Sequence, residues 1–297
     1  MSIRQTLREL GIRPRRGWGQ NFLVDQRYLS HILHAAEVDP QDTIIEVGPG
    51  LGVLTRKLAV AAGLVIGVEV DPVLARHLEG SLAGQENVRI LQRDVLQLDP
   101  ADLLASLPEI PSGAPYKVVA NLPYSITSAV LRHFLEASTK PTLMVVLVQK
   151  EVAQRITARP GQMSLLSVSV QLYGKPQIVL KIPPSAFYPR PKVESALVRI
   201  EILPEPALNV RGNEAFFSLV RAGFAHRRKQ LHNSLSRELS LPGATIQEAL
   251  REAGVEPSRR AQSLSIEEWG SLCRSLHDSL KQGHSSDQAS GAGDRGS

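Results

Sequence analysis

Short apolar runs alternate with amphipathic stretches over the first two-thirds of the chain. Thr43 to Val47, Leu64 to Val70, Tyr116 to Leu122 and Leu143 to Gln149 are brief, rich in β-branched residues and mostly apolar, and Val88 to Asp94 holds a shorter apolar run closed by polar residues. That pattern predicts strands buried on both faces rather than on one. Between them apolar residues return at helical spacing, over Val53 to Ala62, Pro72 to about Leu82, Ser125 to Ala137 and Lys150 to Ala158. Upstream, Tyr28, Leu29, Ile32, Leu33 and Ala36 mark a helix for which Asp25 is the expected N-cap. Strand–helix alternation through the fifth strand predicts an α/β fold, a parallel sheet with helices on both faces. Ser164 to Tyr173 reads as a further apolar helix or extended run. Pro176 to Ile182 and Ser195 to Ile202 read as two more strands with no crossover helix between them, so an antiparallel edge is expected.

At Pro204-Glu205-Pro206 the pattern changes. Beyond it Glu214 to Phe224, Gln230 to Leu239, Thr245 to Glu252 and Ile266 to Leu280 all carry helical periodicity, the signature of a small all-helical domain. The expected organisation is an irregular basic arm over 1–20, an α/β domain over 21–204 and a helical domain over 205–280. A Ser-, Gly- and Asp-containing tail over 281–297 is expected to be disordered.

Composition narrows the possibilities. A single cysteine, Cys273, excludes an internal disulfide and a cysteine-rich metal site, and no His grouping has ligand spacing, so no metal is expected. The longest strongly apolar run, Leu143 to Val148, is far too short for a membrane span. Met1 to Gly19 is Arg-rich without an apolar core, so it does not read as a secretory signal. A soluble, cytoplasmic, monomeric protein is expected. The net charge of +5 is concentrated in residues 1–20 and 211–262, which leaves the remainder net negative. Two basic regions around an acidic middle suit a polyanion gripped from two sides, although solvated surface charge would look the same.

The candidate chemistry lies where the strands end. In an open α/β sheet ligands bind at the carboxyl ends of the strands. After Val47 comes Gly48-Pro49-Gly50-Leu51-Gly52 and then a helix, an arrangement that lets backbone approach a ligand closely. Glu69 closes the next strand about 20 residues on, the position for an acid that binds ribose hydroxyls. A dinucleotide fingerprint would place a third glycine where Val53 stands, which points to a nucleoside ligand instead. Asp94 closes the third strand, able either to accept from an adenine amino group or to cap the next turn. The fourth strand ends at Asn121-Leu122-Pro123-Tyr124. Pro123 restricts the backbone and pushes Leu122 toward an extended conformation, so the Leu122 carbonyl and the Asn121 amide oxygen can act as two acceptors for an exocyclic NH₂. Tyr124 offers a stacking face; an ordinary strand-to-helix turn is the alternative. Gln20 to Leu23 could fold over the ligand. In the Phe187 to Ser195 loop, Phe187 or Tyr188 could supply a second stacking face, and Arg190 and Lys192 could hold phosphates. Arg227-Arg228-Lys229, beside Phe224, suits a nucleic-acid backbone.

Gly19 to Leu23, Glu46 to Gly52, Asn121 to Tyr124, Phe187 to Ser195 and Phe224 to Leu235 occur in the order found in ribosomal RNA adenine dimethyltransferases, and the chain resembles that family, its bacterial small-subunit (16S) branch above all, over roughly residues 12 to 278. The resemblance implies a Rossmann-like S-adenosylmethionine-dependent methyltransferase sheet with a C-terminal helical domain. It implies contacts to S-adenosylmethionine from Asn21, Leu23, Gly48, Gly50, Glu69, Asp94 and Asn121, with Glu69 on the ribose and Asp94 on the adenine. Catalysis would fall to Asn121, Leu122, Pro123, Tyr124 and Phe187, and RNA contacts to Arg190, Lys192, Arg227, Arg228 and Lys229. The implied reaction is dimethylation of N6 on two adjacent adenines in the 3′-terminal hairpin of 16S rRNA, on the immature small ribosomal subunit. The rival functions are a 23S rRNA adenine methyltransferase, a non-catalytic RNA-binding assembly or transcription factor on the same fold, and an NAD-dependent dehydrogenase.

Overall fold

The structure, a computed structural model, describes residues 3–14, 19–208 and 213–276. Among these the strands are β1 (Phe22–Leu23), β2 (Thr43–Val47), β3 (Leu64–Glu69), β4 (Val88–Gln92), β5 (Tyr116–Asn121), β6 (Leu143–Gln149), β7 (Gly174–Ile182), β8 (Phe187–Tyr188) and β9 (Ser195–Ile202). Seven of them form one sheet in the order β4-β3-β2-β5-β6-β9-β7. β2 to β6 run parallel, and β9 is antiparallel to both β6 and β7. Every residue of β3 is buried, as are Leu143 to Val148 of β6. Helices on both faces of the sheet explain why these runs lack alternation. Strand order reverses between β2 and β5, which pair directly. This is the point in such sheets where the first strands diverge and leave a crevice.

The chain separates into two compact units, 1–154 with 174–204 and 155–173 with 205–297. The first contains both sheets. The second is helical among its described residues: Leu165–Tyr173, Asn213–Phe224, Leu231–Glu238, Gly243–Glu252 and Ile266–Ser275. Residues 155–173, expected in the α/β domain, therefore belong to the helical unit. Sequence position hid this, because the Leu165–Tyr173 helix finds its partners beyond residue 205: Ala207 N–H donates to the Leu172 carbonyl at 2.7 Å, and the Tyr173 and Phe217 rings lie 6.4 Å apart. Buried Trp269 sits at the centre of that unit, and a Cβ on Gly223 would overlap its ring.

Other differences are local. The arm, expected to be irregular, contains a helix at Ile3–Glu9, because Leu7 buries against Leu51 and Leu74 with Ile3, Leu10 and Phe22 packed around them. The expected N-cap Asp25 sits one residue early: Gln26 holds the N-cap position, while Asp25 accepts the Arg27 N–H at 3.1 Å and pairs with its guanidinium at 2.7 Å. The two-residue pair β1–β8 and the helix Pro100–Ala105, capped by Asp99, were too short to stand out as patterns. The expected tail, 281–297, and the end of the last predicted helix lie outside the described residues.

Candidate active site

At the carboxyl edge of β2, β3, β4 and β5 lies a cavity of about 370 Å³. This is within the range of small-ligand sites. Its floor is the glycine loop. Gly48 and Gly50 adopt φ of 66° and 61°, and a Cβ on Gly50 would come within 3.0 Å of the Phe22 ring. Only glycine meets both demands cheaply.

Glu69 ties the loop in place. Its Oε2 accepts the Gly50 N–H at 3.0 Å and its Oε1 accepts the Asp71 N–H at 3.0 Å. The side chain is 5 % exposed and lines the cavity. Burial pushes its carboxyl above the usual carboxylate range, and the two backbone bonds pull the other way. Each carboxylate oxygen keeps further lone-pair capacity for a ligand hydroxyl. Asp71 in turn caps the helix Pro72–Ser81, which brings Leu74 to the cavity wall. Asp94 caps the next turn as expected, its Oδ1 accepting the Leu96 N–H at 3.0 Å, and it also lines the cavity.

At the end of β5, Asn121 Nδ2 donates to the Asn21 carbonyl at 2.9 Å. The amide nitrogen is thus engaged, and Oδ1 is the part of the side chain left to accept. Leu122 N–H donates to the Leu147 carbonyl at 3.1 Å, which fixes its peptide against the sheet. Asn21 Nδ2 donates to the Gly19 carbonyl at 3.0 Å. Gly19, at φ 65°, approaches the turn so closely that a Cβ would lie 2.8 Å from Tyr124 N. Gly19 to Phe22 therefore closes over the Asn121–Tyr124 turn, and the β1–β8 pair anchors it: Phe22 faces Tyr188 and Leu23 faces Phe187.

Asn21, Gly48, Gly50, Glu69, Asp94, Asn121, Leu122 and Pro123 converge on one cavity. Leu23 does not join them; it is 6 % exposed in the core and lines a smaller adjoining cavity instead. Phe187 departs further from expectation. Its ring is 3 % exposed and packed in the same core cluster as Leu23, so it offers no open face for stacking. Strand pairing turned it inward and left its neighbour Tyr188 half-buried, with the Arg4 guanidinium 4.8 Å from the ring centroid. Tyr124 is half-buried and does not line the cavity; its hydroxyl meets Ser195 Oγ at 2.5 Å. Arg190 and Lys192 are exposed in the first unit, and Arg227, Arg228 and Lys229 are exposed in the second. The apolar wall formed by Leu74, Leu96 and Ile126 was missed, since nothing separates such residues from core by sequence alone.

The adjoining cavity, about 40 Å³, is lined by Glu46 and shares Phe22, Gly48, Gly50 and Asn121 with the larger one. Glu46 is 2 % exposed, and neither its Oε2 nor Thr55 Oγ1 has a partner at full hydrogen-bond geometry, although the Thr55 hydroxyl is close enough to favour the charged carboxylate. Burial, with the Glu69 charge adding to it, pushes the Glu46 carboxyl up to about 8.

Residues 12–278 match the family described as ribosomal RNA adenine dimethylase. The chain belongs to that family. It is 50% identical over 263 residues to the ribosomal RNA small subunit methyltransferase A of Dehalococcoides mccartyi, covering 88% of each chain. The protein of the same name from Moorella thermoacetica is 45% identical over 274 residues, 91% of this chain and 95% of that one. Among solved structures, the 23S rRNA methyltransferase ErmE superposes with a TM-score of 0.67 at 32% identity, over 86% of this chain and 99% of that one. A dimethyladenosine transferase from Plasmodium falciparum gives a TM-score of 0.72 at 22% identity, over 86% of this chain and 96% of that one, which shows the shared fold. The protein is therefore an rRNA adenine dimethyltransferase by family, with a Rossmann-like sheet and a helical C-terminal region. The dehydrogenase and non-catalytic readings fall away. Among the described residues no helix is long and apolar enough to cross a membrane, and no group of three or more His, Cys, Asp or Glu side chains could hold a metal ion.

Proposed function

We infer that this protein dimethylates N6 of two adjacent adenines in the 3′-terminal hairpin of 16S rRNA, on the immature small subunit, using S-adenosylmethionine. It would act as a cytoplasmic monomer. The observation that carries the chemistry is Asn121: its nitrogen is tied to the Asn21 carbonyl, so its oxygen is left as an acceptor in a cavity that also holds Glu69 and Asp94. Identity of 50% to a small-subunit enzyme, against 32% to the 23S enzyme, favours the 16S substrate.

The donor set fits the cofactor. Glu69 would accept from the ribose hydroxyls and Asp94 from the adenine amino group, while Asn21 and the glycine loop enclose the remainder. Bound there, S-adenosylmethionine supplies an electrophilic methyl on a sulfonium whose departure leaves a neutral thioether. The chain's part is alignment. Adenine N6 is a poor nucleophile because its lone pair is delocalised into the ring. Acceptors at Asn121 Oδ1 and the Leu122 carbonyl draw its hydrogens out of plane and aim the nitrogen. No dedicated general base is required, since the methylated ammonium can lose its proton afterwards. The target base must leave its stack at a cost of about a few kcal/mol, which stacking on Tyr124 offsets.

Methyl transfer from labelled cofactor to immature small subunits, naked 16S RNA and naked 23S RNA tests the assignment. Label confined to two adenines of the 16S 3′ hairpin, fastest on the immature subunit, is expected. Preferential labelling of 23S RNA would overturn it.

A further inference from the structure

We propose that Ser195 is a positioning residue for methyl transfer, holding the Tyr124 ring by its hydroxyl in the orientation on which the target base stacks. This rests on the reading of Tyr124 as the stacking face.

Serine is an odd choice at this site. Ser195 is the first residue of β9 and is 0 % exposed. It faces Gln149 of β6 on one side and Ile182 of β7 on the other. A β-branched apolar residue would suit such an interior strand position better. A buried hydroxyl needs a partner, and here that partner is the Tyr124 hydroxyl at 2.5 Å. The position is rigid as well as buried. Immediately before it, the Glu194 carbonyl accepts the Lys150 N–H at 2.9 Å, and the Glu194 carboxylate pairs with Lys150 Nζ at 2.6 Å.

Tyr124 is thus clamped at both ends. Its backbone nitrogen lies against Gly19, where no side chain would fit, and its hydroxyl is fixed to a three-strand interior. Its chain neighbours Pro123 and Ser125 line the cavity, so the turn that carries Tyr124 borders the cavity although its own ring does not line it. A stacking platform needs little more than a flat ring, and phenylalanine would supply one. The hydroxyl's role is to fix where the ring sits before the base arrives. The same bond links the Asn121–Tyr124 turn to the end of the Phe187–Ser195 loop, so two motifs far apart in the chain form one assembly.

The test compares Ser195→Ala, Tyr124→Phe, their double variant, Ser195→Thr and Tyr124→Ala. Single-turnover methyl transfer is measured at saturating S-adenosylmethionine and saturating subunit. Fluorescence of 2-aminopurine at the target position of a 3′-hairpin RNA reports stacking of the extruded base, and calorimetry reports cofactor affinity. Ser195→Ala and Tyr124→Phe should each slow the saturated rate about tenfold, the order expected for a misaligned but bound reactant. Each should weaken the stacking signal and leave cofactor affinity unchanged. The double variant should be no slower than the slower single variant, and Ser195→Thr, which keeps the hydroxyl, should restore most of the rate. A wild-type rate and stacking signal in Tyr124→Phe would overturn the proposal, as would additive losses in the double variant. A Ser195→Ala protein that fails to fold leaves Tyr124→Phe and Ser195→Thr to decide it. If Tyr124→Ala is impaired while Ser195→Ala and Tyr124→Phe behave as wild type, only the positioning role fails. If Tyr124→Ala also leaves rate and signal untouched, the stacking reading fails with it.

Discussion

The crevice and the basic turn around residues 226–229 hold their functional side chains in opposite ways. In the crevice each polar group spends part of itself on the protein. Glu69 uses both oxygens on backbone N–H groups, Asp94 one oxygen, and Asn121 its nitrogen. What is left points one way because the rest is fixed. In the helical unit the turn itself is braced: Lys229 N–H donates to the His226 carbonyl at 2.9 Å, His226 meets Glu238 at 2.9 Å, and Ser234 Oγ donates to the Ala222 carbonyl at 2.7 Å. Yet the Arg227, Arg228 and Lys229 side chains are exposed. The contrast follows from the ligands. Methyl transfer fails when an atom is misplaced by about an ångström, whereas a phosphate backbone is attracted by charge at almost any nearby geometry.

The largest effect should come from breaking the crevice side of that contrast. Asn121→Ala should leave fold and subunit binding nearly intact and cut methyl transfer on the order of 10²–10³-fold, the usual loss for one preorganised polar partner of a transition state. The substitution also releases the Asn21 carbonyl and so loosens the segment that closes the cavity. Single-turnover rates across cofactor concentrations separate these effects. Full recovery at saturation would reduce Asn121 to a ligand-binding residue, and a wild-type rate throughout would leave it a turn residue.

Glu46 sharpens the comparison by showing what rigid burial costs. Its folded-state value of about 8 lies above the model-compound value of 4.5. Below pH 4.5 folded and unfolded chains both carry the proton. Between 4.5 and 8 the unfolded chain has released it and the folded chain has not, so stability declines across that window and levels off above it. Glu46→Gln removes the titration, and Thr55 Oγ1 can accept from the new amide. The variant should be more stable than wild type by on the order of 2–3 kcal/mol at pH 7, converging with it toward pH 4.5. Denaturant melts of both proteins from pH 4.5 to 8.5 check this. A pH-independent difference would mean that Glu46 does not hold its proton in the folded protein.

Much of the crevice was legible because its polar residues Glu69, Asp94 and Asn121 lie at or just past the ends of strands. Apolar runs located β2 to β6, and the polar residue ending β3 and β5 named Glu69 and Asn121 directly. Asp94 was found the same way, although β4 ends two residues before it, at Gln92. Phe187 failed for a physical reason. A two-residue strand has no periodicity, so the pairing with Leu23 that buries its ring left no trace in the sequence. The unit to which the helix Leu165–Tyr173 belongs was missed for another reason. Its apolar faces were evident, but periodicity says that a helix is buried and not against which part of the chain. Ser195 was named only as the end of a motif, since its meaning depends on a hydroxyl 71 residues away.

The smallest effect should come from the basic turn. Replacing Arg227, Arg228 and Lys229 with alanine should weaken subunit binding by roughly tenfold at moderate salt, and it should leave cofactor affinity unchanged. The more telling quantity is the salt dependence. Each phosphate contact releases condensed counterions, so losing three should flatten the slope of log K against log[salt] by about 2–3. Because the side chains are exposed and their scaffold is braced from within, the triple variant should melt like wild type. Single substitutions should each take about one-third of the slope, since distributed charge has no privileged member. Were one residue to carry nearly all of it, or were it to change the site of methylation, the turn would be reading RNA geometry and would belong with the crevice. Coincident slopes for wild type and the triple variant would instead make the cluster a solvated face with no part in binding.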